Sequence, residues 1–264
     1  MSQRLTLPAA ELVVIAEYRG LLFVDKPSGL QTEPDARHKD TLVTRIATQL
    51  GLPVAEIHAL SRLDTAVSGV VTLGLTTEAR RLVNEWRERG QFRRRYVALA
   101  SGAAASAGAG VWSESIGRGS GNLRRVGGQR PELAHTDFAL IESSPLFGHS
   151  SPKQVQLLAL SPRTGRTHQL RVHAAAHGLP LLGDRAYGGI SRLSSETGNV
   201  RSLDRIALHA AWVELPLAQP LRFEAAIPAE LAGIWRDFAG DATALVKAVQ
   251  GSLGEISDSP SGAK

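Results

Sequence analysis

Apolar and polar positions along this chain alternate in short blocks. Leu21 to Asp25 (LLFVD) reads as a buried strand, stopped by the turn Lys26-Pro27-Ser28-Gly29. Asp40 is placed to cap a helix whose residues Leu42, Val43, Ile46 and Leu50 follow helical spacing. Val70 to Leu75 is a second strand. A helix follows from about Thr77, with Leu82, Val83 and Trp86 inward and arginines outward. Tyr96 to Ala100, Phe138 to Ile141 and Val155 to Leu160 are further strands. Thr167 starts a helix through His177, ended by Gly178 and Pro180. Ala207 to Leu215 and Leu221 to Ala226 form a closing pair of strands, and Pro228 opens a last helix at its first position. Strands outnumber helices without regular alternation, which predicts an α+β fold with a mostly antiparallel sheet and not a doubly wound one.

Two segments break the pattern. Residues 101–131 are rich in Gly, Ala and Ser with scattered Arg, and read as a loop-rich insertion. Residues 251–264 are a polar Ser/Gly stretch expected to be a flexible tail. The expected organisation is one domain over 1–250, with its core at about 21–240.

Composition narrows the chemistry. An apolar fraction of 43% supports a proper core, and no uninterrupted apolar run reaches membrane-spanning length. The first ten residues lack a signal-peptide pattern, so a cytoplasmic location is expected. With no cysteine there are no disulfides, thiolate metal sites or Cys nucleophiles. The net charge is +5, and 25 of the 30 basic residues are Arg. Guanidinium groups fork onto phosphate and stack on bases, so this skew suits a nucleic-acid partner, although a GC-rich genome produces it too. Seven arginines fall between positions 80 and 95, a footprint suited to phosphate.

Standard cofactor motifs fail. Gly117 to Asn122 lacks the preceding strand and third glycine of a dinucleotide loop, and there is no Walker A, HExxH or GxSxG sequence. His168, His173 and His177 do not form a metal face, because on a helix His168 lies about 140° from His173. They cap, pack or touch phosphate instead. Two segments remain. Arg62-Leu63-Asp64 through Ser68-Gly69 presents a carboxylate in a loop directly before an apolar strand. Gly165-Arg166-Thr167-His168-Gln169-Leu170-Arg171-Val172-His173 puts a cation at a helix N-terminus, where the dipole disfavours it and a buried carboxylate such as Asp64 would offset the clash. Each segment alone reads as readily as an ion pair and a turn.

Together these pieces resemble the RluA-type family of pseudouridine synthases. The matching blocks run in order: Asp25-Lys26-Pro27-Ser28-Gly29-Leu30; Arg62-Leu63-Asp64 with Ser68-Gly69; Tyr96-Val97-Ala98-Leu99 closing at Gly102; Gly165 to Gly189; and Leu208-His209-Ala210. The resemblance implies a pseudouridine synthase fold, a large, mostly antiparallel mixed sheet with flanking helices and an RNA cleft across it, no cofactor and no metal, and RNA, ribosomal or transfer, as partner. It also implies Asp64 as the catalytic carboxylate, Arg166 as its ion-pair partner, and Tyr96 stacking on the target base and helping to take the C5 proton. Leu208 would pack against that base. Arg62 would fill the position that the flipped base vacates, while Arg93, Arg94, Arg95, His168, Arg171 and Arg185 would contact RNA. The chain departs from the family in having Ser61 where His often precedes the triplet and Val67 where Thr is common. About twenty residues precede the first predicted strand, so recognition is expected from the catalytic domain and the 101–131 insertion, in a monomer. A catalytically silent RNA-binding protein of the same fold is the alternative.

Overall fold

The computed structural model describes residues 11–103, 108–146, 153–194, 200–238 and 240–251. It begins with a hairpin, β1 (Val13–Tyr18) and β2 (Leu21–Lys26), turned at Arg19 and Gly20, both at positive φ. Next come α1 (Leu42–Leu50), the short β3 (His58–Ala59), β4 (Ser68–Gly74), α2 (Thr77–Glu88) and β5 (Arg93–Gly102). The expected insertion holds strands, not only loop: β6 (Ala109–Trp112), β7 (Ile116–Arg118), β8 (Arg124–Val126) and β9 (Gln129–Glu132). Then follow β10 (Thr136–Leu146), β11 (Lys153–Pro162), α3 (Gln169–Ala176), β12 (Arg192–Ser194) and β13 (Val200–Ser202). The chain closes with β14 (Leu208–Leu215), β15 (Leu221–Glu224), α4 (Ala229–Asp237) and α5 (Ala242–Gln250). Of the predicted tail at 251–264, residues 252–264 lie outside the described residues.

The main path of a ten-stranded sheet runs β1-β2-β4-β14-β5-β11-β10-β6, with β3 on β4 and β15 on β14. Every pairing in it is antiparallel except β4 with β14, where His209 lies opposite Ser68 and Ala210 opposite Gly69. The fold is therefore α+β on a mixed sheet, as expected. β7, β8 and β9 form a separate three-stranded sheet.

Alternation along β5 splits the core between two faces. Tyr96, Ala98 and Ala100 join Leu208 and Ala210 in one cluster with α1 and α3, whereas Val97 and Leu99 join Trp235 and the α4–α5 pair on the other face. A third cluster packs Val83 and Trp86 of α2 on Phe23 and Phe223. α1 is capped by Thr41, not Asp40, which instead pairs with Arg45 at 2.6 Å. α3 starts at Gln169 rather than Thr167, because His168 adopts a left-handed conformation that no helix interior accepts. Pro228 occupies the cap of α4 rather than its first turn. Among the described residues no helix is long and apolar enough to cross a membrane.

Candidate active site

The sheet register gathers the site. Asp64 lies in the loop that enters β4, Leu208 begins β14 beside it, and Tyr96 of β5 faces Ala210. These residues open into a cleft of about 1580 Å³. Arg62, Asp64, Arg93, Arg94, Arg95, Tyr96, Arg166, His168, Arg171 and Leu208 all line it, whereas Arg185 does not; that residue is exposed and donates to the Ser191 hydroxyl.

The Asp64 loop is pinned from beneath by the segment after β2. Lys26, fully buried, donates through Nζ to the carbonyls of Leu30 (2.7 Å), Pro27 (2.9 Å) and Thr65 (3.4 Å). Burial, with Arg205 nearby, pushes its ammonium down to about 8. The Gly29 amide donates to the Thr65 carbonyl, the Ser28 hydroxyl to that of Ala66, and the Thr32 hydroxyl to that of Leu63. The Asp25-Lys26-Pro27-Ser28-Gly29-Leu30 block thus holds the loop that carries the carboxylate.

Asp64 Oδ2 accepts from Arg171 Nη1 at 2.7 Å. The same guanidinium forks onto Asp184 through Nε and Nη2 at 2.7 and 2.9 Å, and Asp184 is buried. Despite burial, which opposes it, the two carboxylates hold the Arg171 charge well above its ordinary range. This arrangement corrects two expectations. The ion-pair partner of Asp64 is Arg171, not Arg166, and Arg171, expected to contact RNA, is buried with its guanidinium held by two carboxylates. With α3 starting at Gln169, Arg171 falls in its first turn and points across at Asp64, and the two carboxylates answer the dipole clash. Arg166 precedes the helix, pairs with Glu132 of β9 and donates through Nε to the Leu133 carbonyl at 3.0 Å.

Arg95 is a third correction. Expected at an RNA surface, it is buried, donates to the Ser161 hydroxyl and the Ala248 carbonyl, and stacks 5.3 Å from the Trp212 ring centre, so it ties β5 to α5. Arg94 is half-buried and donates to the carbonyls of Thr164 (2.9 Å) and Pro162 (3.3 Å), bracing the loop that carries Arg166. Arg62 and Arg93 are exposed at the cleft, and Arg62 meets Glu33 only loosely at 3.5 Å.

Tyr96 is buried, and burial pushes its phenol up, so it stays protonated at neutral pH. Leu208 is buried beside it. At the crossing of β4 and β14, the Ser68 hydroxyl accepts from Arg205 (2.6 Å) and lies 2.8 Å from His209 Nδ1. Burial pushes that imidazole down to about 4, so it is neutral. His173 Nε2 meets the Glu114 carbonyl and His177 stacks on Trp112, which accounts for both as packing groups. Among the described residues no cluster of His, Cys, Asp or Glu is arranged to hold a metal.

Lys26, Asp184 and Tyr187 belong to the site but were given no role by sequence reasoning. Each stands inside a matching block, yet nothing in spacing or periodicity announces that it touches the Asp64 loop or Arg171.

A sequence profile of the family described as RNA pseudouridylate synthase matches residues 20–176. The chain is 36% identical to the dual-specificity RNA pseudouridine synthase RluA of Salmonella typhimurium over 77% of its length and 86% of the relative's. The chain belongs to the RluA-type RNA pseudouridine synthases. It is also 32% identical to the uncharacterized RNA pseudouridine synthase YhcT of Bacillus subtilis, covering 86% of this chain and 72% of that one. The human RNA pseudouridylate synthase domain containing 1 shares the fold, at 24% identity and a TM-score of 0.66 over 91% of this chain and 95% of that chain. The protein is thus an isomerase acting on RNA.

Proposed function

We propose that the synthase isomerises a particular uridine of ribosomal or transfer RNA, with Asp64 as the reacting carboxylate on a base drawn out of its stack. The observation that carries this reading is the placement of Asp64. It is a half-buried carboxylate at the floor of a basic cleft, gripped on one oxygen by a guanidinium that is itself fixed by a second, buried carboxylate. In the reaction the N1–C1′ bond breaks, C5 bonds to C1′, a hydrogen leaves C5 and one is taken up at N1. Charge develops on the sugar, so one carboxylate beside it supports the chemistry, as nucleophile at C1′ or as base toward the C2′ hydrogen. Glycoside hydrolysis needs a second carboxyl to handle water or the leaving group; here water is to be kept out, and Leu208 with the Tyr96 ring gives the base an apolar seat.

To reach Asp64 the uracil must leave its stack. Arg62, exposed beside Asp64, is placed to insert its planar guanidinium where the base was. The test is release of tritium from RNA labelled at uracil C5, with no added metal, comparing wild type and Asp64→Asn. Arg171 keeps both bonds to Asp184 in that variant, so it is expected to fold as wild type, bind RNA and release nothing. Release by a folded Asp64→Asn protein would overturn the role of Asp64. RNA binding without release by wild type would favour the silent binder.

A further inference from the structure

Tyr187 closes the short 3-10 turn Arg185–Tyr187, next to Asp184. Its ring centre lies 4.8 Å from the Arg171 guanidinium carbon, and its edge meets the His168 imidazole at 79°. Its hydroxyl accepts the backbone amide of Arg124 at 2.9 Å and lies 2.8 Å from His168 Nδ1. One phenol therefore touches both groups that face Asp64, together with the first residue of β8 in the small sheet.

The protons can be placed. Burial pushes the Tyr187 phenol up, so it keeps its hydrogen at neutral pH. Its oxygen already accepts from Arg124, and the partner left for its O–H is His168 Nδ1. Burial also pushes His168 below its ordinary value, so the imidazole is neutral and carries its hydrogen on Nε2. That atom lies 3.9 Å from Asp64 Oδ2, the oxygen that Arg171 already holds. Both contacts fall on Oδ2.

We propose that Tyr187 is a positioning residue: its hydroxyl fixes the His168 tautomer that presents Nε2–H to Asp64, and its bond to the Arg124 amide makes that alignment depend on the seating of the β7–β9 sheet. The proposal rests on Asp64 being the reacting carboxylate. The charged groups facing His168 are Asp64 from the loop before β4, Arg171 from α3, Asp184 from the following turn and Arg124 from β8. Loss of the hydroxyl frees Nδ1 to take a proton in this field, so His168 titrates at a higher pH and its cation pairs with Asp64.

The test uses single-turnover tritium release from C5-labelled ribosomal and transfer RNA, with enzyme in excess, across pH. Tyr187→Phe keeps the ring over Arg171 and removes only the hydroxyl. It is expected to lower the saturated rate by about tenfold, as a small misplacement of a reacting group does. RNA affinity should not change, and the acidic limb of the profile should move to higher pH. Added to His168→Gln, the same change should have no further effect. Gly128→Ala, whose Cβ would press on the Gly117 backbone and wedge β7 from β9, should reproduce the pH shift. Nitrogen-15 spectra of labelled histidines, with His168→Gln for assignment, should show the Nε2–H form in wild type and its loss in Tyr187→Phe.

A wild-type profile for Tyr187→Phe, an equal loss in the His168→Gln background, or a change in affinity alone would each overturn the proposal. So would an unshifted Gly128→Ala, or an Nδ1–H tautomer in wild type, which decides the matter even if Tyr187→Phe folds poorly. If wild type releases no tritium, the Asp64 reading fails instead, and the spectra still judge the tautomer.

Discussion

Arg171 carries five donors in a rigid fork, and the fold uses three of them on two carboxylates, Asp64 and Asp184. The two ends of this bridge are not equivalent. The Asp64 side chain is 29% exposed toward the cleft, whereas that of Asp184 is 1% exposed. Removing Arg171 therefore strands a buried charge, which costs about 3–5 kcal/mol. Arg166 differs although it stands only five residues earlier, because its pair with Glu132 is 38% and 63% exposed and such pairs contribute under about 1 kcal/mol. Urea denaturation should show a large loss of stability for Arg171→Ala and almost none for Arg166→Ala. Equal losses would mean that Asp184 is satisfied some other way. The sequence could not tell these arginines apart. Both lie in one nine-residue block, and the choice between them depends on where α3 starts, which the left-handed His168 decides.

At the scale of elements, the site depends on one close contact, the parallel meeting of β4 and β14. Gly69 has φ +111°, and a Cβ there would lie 2.6 Å from the Ala210 nitrogen and still closer to its carbonyl. No side chain fits, so the strands that bring Asp64 to Leu208 can touch only through glycine. Gly29 also has a positive φ, +88°, but nothing lies within 4 Å of its would-be Cβ. Gly69→Ala should thus cost about 3 kcal/mol or more, from strain plus overpacking, and Gly29→Ala only about 1–2 kcal/mol from its backbone conformation. Thermal melts of the two variants check this, and similar losses would remove the close approach as the cause. The elements that could be read from sequence are those with a strong apolar period: β2, α2, β5, β11 and β14 lie within a few residues of expectation. β7, β8 and β9 could not, because β8 and β9 bury none of their residues and the sheet's arginines and glycines read as loop. α5 was missed for the same reason. It buries only Ala244 and Ala248, side chains too small to mark a face.

On the scale of the whole molecule, the net charge of +5 says little, but the distribution of arginines over the cleft says more. The run at 80–95 looked uniform in sequence, and the fold divides it. Arg93 is exposed at the cleft, Arg94 braces the loop before α3, and Arg95 is 5% exposed inside the β5–α5 packing. Alternation along β5 sends Arg94 to the Tyr96 face and Arg93 and Arg95 to the other, where α5 and Trp212 cover Arg95 and leave Arg93 in solvent. Only a guanidinium that reaches solvent can displace the counterions of RNA, so each exposed arginine on a phosphate should add about 0.7–0.9 to the slope of log affinity against log salt. Arg93→Ala should lower that slope by about one contact, with little change in tritium release at saturating enzyme. Arg95→Ala should leave the slope as it is and lower the melting temperature, because it removes the bonds to Ser161 and Ala248 and the stack on Trp212. Filter binding between about 50 and 200 mM salt separates these outcomes. A slope that falls for Arg95→Ala as it does for Arg93→Ala would mean that RNA reaches a residue this fold encloses, and the cleft would then have to open on binding.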